Sequence, residues 1–130
     1  MTENSDRFLT DTHSLVWALQ DPDQLSKKAR SALETRQIVC SVVNLWELML
    51  KRNRPDSPVP DPRSWWLQFV VPFALSTIPV RAAHILKLPD LPEIHRDPFD
   101  RMLAAQAIVE DLPIISKDSK LKRYGIRIIW

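Results

Sequence analysis

The sequence predicts an α/β fold with a central, mainly parallel sheet covered by helices on both faces. Three observations carry this. Short apolar runs of strand length alternate along the chain with longer helical stretches. The late runs, Pro113-Ile114-Ile115-Ser116 and 126–129, are mostly apolar, as strands buried on both faces require. Acidic residues follow two of the runs or sit on the helix just after, where an open parallel sheet binds its ligands.

The elements follow in order. Phe8-Leu9-Thr10 is the first strand, and a short helix over 13–20 is broken by Asp21-Pro22-Asp23. Ser26 reads as the N-cap of a helix over 27–36. A strand at 38–41 leads to a helix over 43–52, which Pro55 prevents from running on. The stretch 55–62 holds four of the eleven prolines and reads as a loop. A helix over 63–71 should stop at Pro72, and a third strand at 75–78, placed mid-sheet, should precede a helix over 80–88. After the loop 89–96, Asp97 as N-cap and Pro98 at N1 open a helix over 98–110. Strands at 113–116 and 126–129 flank a short helix over 119–123. Residues 1–7 read as a polar lead-in and 8–130 as one domain.

Composition narrows the function classes. The chain has 130 residues, 45% hydrophobic and 26% charged, an ordinary globular balance. No apolar run approaches the roughly 20 residues of a membrane helix, so no membrane partner is expected. Met1–Asp6 is polar rather than signal-like, and the lone Cys40 excludes an internal disulfide framework; both fit a cytoplasmic protein. The single glycine, Gly125, excludes the glycine-rich loops of nucleotide cofactors. His13, His84 and His95 show no zinc-ligand spacing. A net charge of +2 gives no global basic field, but Lys51, Arg52 and Arg54, and Lys117, Lys120, Lys122 and Arg123, cluster near acidic residues.

Four acids, Asp11, Glu47, Asp100 and Asp118, carry the chemical argument. Carboxylates gathered in one pocket repel, and a hard divalent cation relieves the repulsion. The pattern points to Mg²⁺ or Mn²⁺ and to phosphoryl chemistry. Three of the four, with Asp97, have a plainer use: Glu47 can pair with Lys51 at i+4, Asp100 and Asp97 can cap a helix, and Asp118 can cap the 119–123 helix. The nearly all-apolar helix after Asp100 favours a metal role for it. Thr12 and Ser116 supply hydroxyls beside the acids. The pair Trp65-Trp66 cannot easily face one core stripe, so one of the two is expected to meet a partner.

Four runs in this order resemble the PIN domain, in particular the VapC-like ribonuclease toxins of prokaryotic toxin–antitoxin pairs. They are Phe8-Leu9-Thr10-Asp11-Thr12-His13, Ser41-Val42-Val43-Asn44-Leu45-Trp46-Glu47, His95-Arg96-Asp97-Pro98-Phe99-Asp100-Arg101-Met102-Leu103-Ala104-Ala105-Gln106-Ala107, and Leu112-Pro113-Ile114-Ile115-Ser116-Lys117-Asp118. The resemblance implies a three-layer α/β/α sandwich and Mg²⁺- or Mn²⁺-dependent cleavage of RNA. It also implies a homodimer and silencing by a cognate VapB-like antitoxin. The implied acidic set is Asp11, Glu47, Asp100 and Asp118, with Asp97, Thr12 and Ser116 auxiliary; Asn44 stands where a small hydroxyl residue is common. A non-catalytic PIN-type RNA- or protein-binding module and a receiver-like phosphoacceptor domain are the rival readings.

Overall fold

A computed structural model, described for residues 7–35 and 37–130, is built on five parallel strands. They are β1 (Arg7–Thr10), β2 (Gln37–Ser41), β3 (Ser76–Ile78), β4 (Ile114–Ile115) and β5 (Ile128–Ile129), in the order β3-β2-β1-β4-β5. Met1–Asp6 of the expected lead-in, and Arg36 at the expected end of the second helix, lie outside the described residues. In register, Leu9 stands beside Val39 on one side and Ile114 on the other.

The strand alternation divides the core in two. Phe8, Ile38, Cys40 and Ile115 point to one face. There they meet Leu15 and Val16 of α1 (Thr12–Gln20) and Ala29 and Ala32 of α2 (Lys27–Thr35). Leu9, Val39 and Ile114 point to the other face, against Phe99, Leu103, Ala104 and Ala107 of α7 (Pro98–Glu110). The alanines let α7 lie close to the sheet. The helix α3 (Val42–Leu50) contributes Leu48 to the first core and Val43 to the second, so it closes the edge between them. The result is the three-layer α/β/α sandwich with a parallel sheet. Among the described residues no helix is long and apolar enough to cross a membrane.

Local chemistry sets the element ends. Ser26 accepts from the Ala29 N–H at 3.0 Å, as an N-cap should. Asp97 accepts from the N–H groups of Phe99 and Asp100 and starts α7 at Pro98. Gly125, at φ 82°, ends the 3-10 helix Ser119–Tyr124 in the left-handed region that glycine enters without strain. The helix expected from residue 80 begins at Ala82 as α6 (Ala82–Lys87), because Arg81 is extended and its N–H is taken by His84 Nδ1 at 3.0 Å.

Three expectations are corrected. The third strand lies at the sheet edge rather than mid-sheet; β1 is the middle strand, and Asp11 follows it. Pro72 does not stop the helix. After α4 (Pro62–Trp65) the residues Trp66–Val70 form a π turn, in which the Val71 N–H reaches Trp66 O, and α5 (Val71–Phe73) continues through the proline. Pro72, which has no N–H to give, sits just past this turn in the first positions of α5. The wider turn rotates α5 relative to the two tryptophans. Against the expectation for the pair, Trp65 and Trp66 are both buried, at 7% and 6% exposure, in the core cluster with Leu15, Val16 and Leu48, and neither is available to a partner.

Because both tryptophans fill core volume, Trp66→Ala should cost about 3–5 kcal/mol of stability. Urea unfolding followed by circular dichroism measures it. A loss below about 1 kcal/mol would contradict the burial.

Candidate metal centre

Four separated segments deliver acids to one end of the sheet. Asp11 follows β1 and caps α1, its Oδ1 accepting from the Ser14 N–H at 2.8 Å. Glu47 lies on α3 at 8% exposure, with Lys51 Nζ 2.6 Å from its Oε2. Asp97 and Asp100 stand at the N-cap and third position of α7. Asp118 follows β4 and caps the 3-10 helix Ser119–Tyr124, its Oδ1 accepting from the Lys120 N–H at 3.0 Å. All five acids, with Thr12, His13, Lys51 and Ser116, line a single hollow of about 200 Å³. The sequence-selected positions Asp11, Glu47, Asp100, Asp118, Asp97, Thr12 and Ser116 thus share one site. The plainer uses are also real: Glu47 pairs with Lys51, and Asp97 and Asp118 cap helices. A larger hollow, about 540 Å³, lies at the opposite end between α2 and β5; it is lined by Lys28, Ser31, Ala32, Thr35, Pro113, Arg127, Ile128 and Ile129, with no acid among them.

A buried polar knot supports these segments. Asn44 Oδ1 accepts from the Ser41 N–H at 2.9 Å, and its Nδ2 donates to Thr10 O at 3.3 Å and Thr12 Oγ1 at 3.1 Å. It joins the end of β1, the start of α1 and the start of α3. Ser41 Oγ donates to Gln106 Oε1 of α7 at 2.6 Å, and Gln106 Nε2 donates to Pro79 O at 3.1 Å. Asn44, Ser41 and Gln106 are fully buried, and a buried polar group left unpaired is costly.

The electrostatics record the crowding. The Asp100 carboxyl is pushed up to about 6, first by burial and then by the charges of Asp97, Glu47 and Asp11, against a lowering by His95. Burial raises Asp11 too, although hydrogen bonds from Ser116 and Ser14 oppose it. Asp118 goes the other way. Burial alone would raise it, but hydrogen bonds from His95 and the Lys120 N–H, with the charges of His95 and Lys120, outweigh burial and hold it below the ordinary carboxylate value.

The donor set suits a hard divalent cation, since every acid offers oxygen and the uncompensated charge is what such an ion removes. Among the described residues no three acidic, His or Cys side chains are already gathered tightly enough to hold an ion. Lys51 covers Glu47, with its Nζ on Oε2, and His95 Nε2 holds Asp118 Oδ2 in place at 2.5 Å. Asp11 and Asp100, whose charge is most penalised, are the first candidates to take up a cation.

Sequence reasoning alone reads His95 as a packing or surface residue and leaves Asn44 open. The signals are faint: His95 stands two residues before the capping Asp97, and Asn44 three after Ser41, where a capping box places its second member.

The acidic hollow lies beyond the carboxyl ends of β1 and β4, where open parallel α/β sheets bind their ligands. The PIN domain pattern matches residues 8–127, and the chain belongs to the PIN domain family. That membership decides against the receiver-like reading, even though the middle strand does end in an aspartate. Solved structures share the fold at low identity. One is VapBC2 from Rickettsia felis bound to a DNA fragment from its promoter (TM-score 0.68, 16% identity, 94% of this chain and 96% of that one). Others are FitAcB from Neisseria gonorrhoeae (0.71, 14%, 95% and 96%) and VapBC-5 of the VapBC toxin–antitoxin family from Mycobacterium tuberculosis (0.58, 21%, 95% and 98%). No curated protein matches by sequence.

The raised Asp100 carboxyl gives a signed pH prediction. A carboxyl whose folded pKa lies above its unfolded value stabilises most when both states hold the proton, and the benefit is lost as pH rises from about 4 through about 6. In EDTA at pH 7.5, Asp100→Asn should therefore melt at or above the wild-type temperature, and the gain should vanish near pH 4. Thermal scans across that range test it, and a large drop at pH 7.5 would make Asp100 a structural cap.

Proposed function

We propose that the protein is a Mg²⁺- or Mn²⁺-dependent endoribonuclease and the toxin of a toxin–antitoxin pair, working in the cytoplasm. The observation that carries this is the convergence of Asp11, Glu47, Asp100 and Asp118 on one hollow, with Asp11 and Asp100 pushed up by burial and mutual charge. Asp11 and Asp100 would hold the cation, with Glu47 and Asp118 completing the acidic set. When bound, the cation supplies Lewis-acid activation of water and offsets charge on the phosphodiester. The chain's own groups do the rest. The Ser14 N–H donates to Asp11 Oδ1 at 2.8 Å and orients that carboxylate. Lys51 leans on the Phe99 ring, 5.7 Å from its centroid, at the border with a second hollow of about 130 Å³ that also contains Arg54. Lys51 and Arg54, which line that hollow together, would bind the RNA backbone on one side of the site.

A protein partner is supported by what the surface exposes. Trp46 at 49% and Leu67 at 65% exposure, with Leu50, Phe69, Val71 and Phe73, place large apolar side chains in solvent along α3 and the helical segment 62–73, which pack together. The solved relatives include toxin–antitoxin complexes. We assign this face, in place of Trp65 and Trp66, to a cognate VapB-like antitoxin; pairing of two copies of the chain is the competing use.

Purified protein should cleave RNA with Mg²⁺ or Mn²⁺ and stop with EDTA, and Asp11→Asn should lose more than the roughly 10–100-fold that an outer partner of a metal site is worth. Cleavage undiminished in chelator would sink the metal reading. Cleavage absent under all metals, with the fold intact, would favour the non-catalytic module.

Leu67→Asp should leave RNA cleavage intact and abolish co-purification with the co-expressed product of the neighbouring gene. Unchanged capture would move the partner to another face.

A further inference from the structure

His95 sits at the junction of two acid-bearing segments of the hollow. Its ring has 8% exposed side chain and stacks on Tyr124, with centroids 5.5 Å apart and planes 15° from parallel. Three polar contacts define its state. The His95 N–H donates to Tyr124 Oη at 3.1 Å, Nδ1 lies 2.7 Å from the same hydroxyl, and Nε2 lies 2.5 Å from Asp118 Oδ2. The hydroxyl accepts from the backbone, so its one proton is free to go to Nδ1. In the neutral ring that leaves the proton on Nε2, where it is donated to Asp118. Tyr124 thereby selects the tautomer that grips the carboxylate.

The chain places the two ends of this arrangement usefully. Asp118 begins the 3-10 helix Ser119–Tyr124 and Tyr124 ends it, while His95 lies two residues before the N-cap of α7. One imidazole therefore ties both ends of the helix carrying Asp118 to the segment that starts the helix carrying Asp100. With Oδ1 held by the Lys120 N–H and Oδ2 by His95, both carboxylate oxygens are oriented, and each keeps a lone pair for the hollow.

We propose that His95, preset by Tyr124, is the positioning residue that fixes Asp118 relative to the start of α7 and so sets how tightly the acidic hollow takes up a divalent cation. The inference rests on the metal reading above and deepens it. It assigns His95 no contact with substrate. Its action runs through Asp118, as second partners of metal ligands act through the ligands they orient.

The test is Mn²⁺ binding, read from the free-ion signal in electron paramagnetic resonance, on wild type, His95→Ala, His95→Gln, Tyr124→Phe, Asp118→Ala and the pair His95→Ala/Asp118→Ala. Circular dichroism checks each fold. His95→Ala should weaken Mn²⁺ binding roughly 10–100-fold. His95→Gln, whose amide can still donate to Asp118, should recover most of it. Tyr124→Phe keeps the stack, loses the hydroxyl and should fall between. In the Asp118→Ala background the His95 change should add nothing, because the two act as one unit. A folded His95→Ala protein that binds Mn²⁺ like wild type overturns the proposal. If that variant does not fold, Tyr124→Phe decides, and wild-type affinity there overturns it equally. Wild-type protein that takes up no Mn²⁺ removes the metal reading itself and the proposal with it.

Discussion

The hydrogen-bonded knot of Ser41, Asn44 and Gln106 is the interaction on which the rest of the site depends. It is neutral and fully buried, and it ties the end of β1, the starts of α1 and α3, and the middle of α7 together. Those elements carry Asp11, Glu47 and Asp100. Carboxylates forced together push their supporting elements apart. A satisfied polar network in a low-dielectric core resists that more firmly than apolar packing, because any separation leaves several buried groups unpaired at once. Asn44 serves this end well: its amide both accepts and donates, and so reaches Ser41, Thr10 and Thr12 from one position.

The hollow has two answers to its own charge. Lys51 covers Glu47 and His95 covers Asp118, while Asp11 and Asp100 keep an uncompensated cost. The acids therefore divide into a covered pair and an uncovered pair. Cover by a lysine on a flexible stem differs from cover by a histidine locked between Tyr124 and Asp118. The first can swing toward a phosphate; the second can only orient.

The helical segment 62–73 divides its apolar side chains between core and surface. Trp65, Trp66 and Val70 are buried, while Leu67, Phe69 and Val71 are exposed. The π turn at Trp66–Val70 shifts the register of the residues that follow it.

The sequence by itself determined the alternating α/β order and the full span of α7 from its Asp97-Pro98 start, and it singled out four acids that the fold brings to one hollow. Each of these is written in local chemistry: strand-length apolar runs, a cap followed by proline, and carboxylates beside strand ends. What only the tertiary structure decided depends on partners distant in the chain. The place of β3 at the sheet edge is set by which strand β2 pairs with. The burial of both tryptophans depends on Leu15, Val16 and Leu48, which the fold brings into the same core from distant segments. The role of Asn44 needs Thr10 and Thr12, more than thirty positions earlier, and the grip of His95 needs Asp118 and Tyr124, more than twenty positions later. Periodicity and capping act over a few residues, whereas a hydrogen bond between segments is set by how the sheet folds them together.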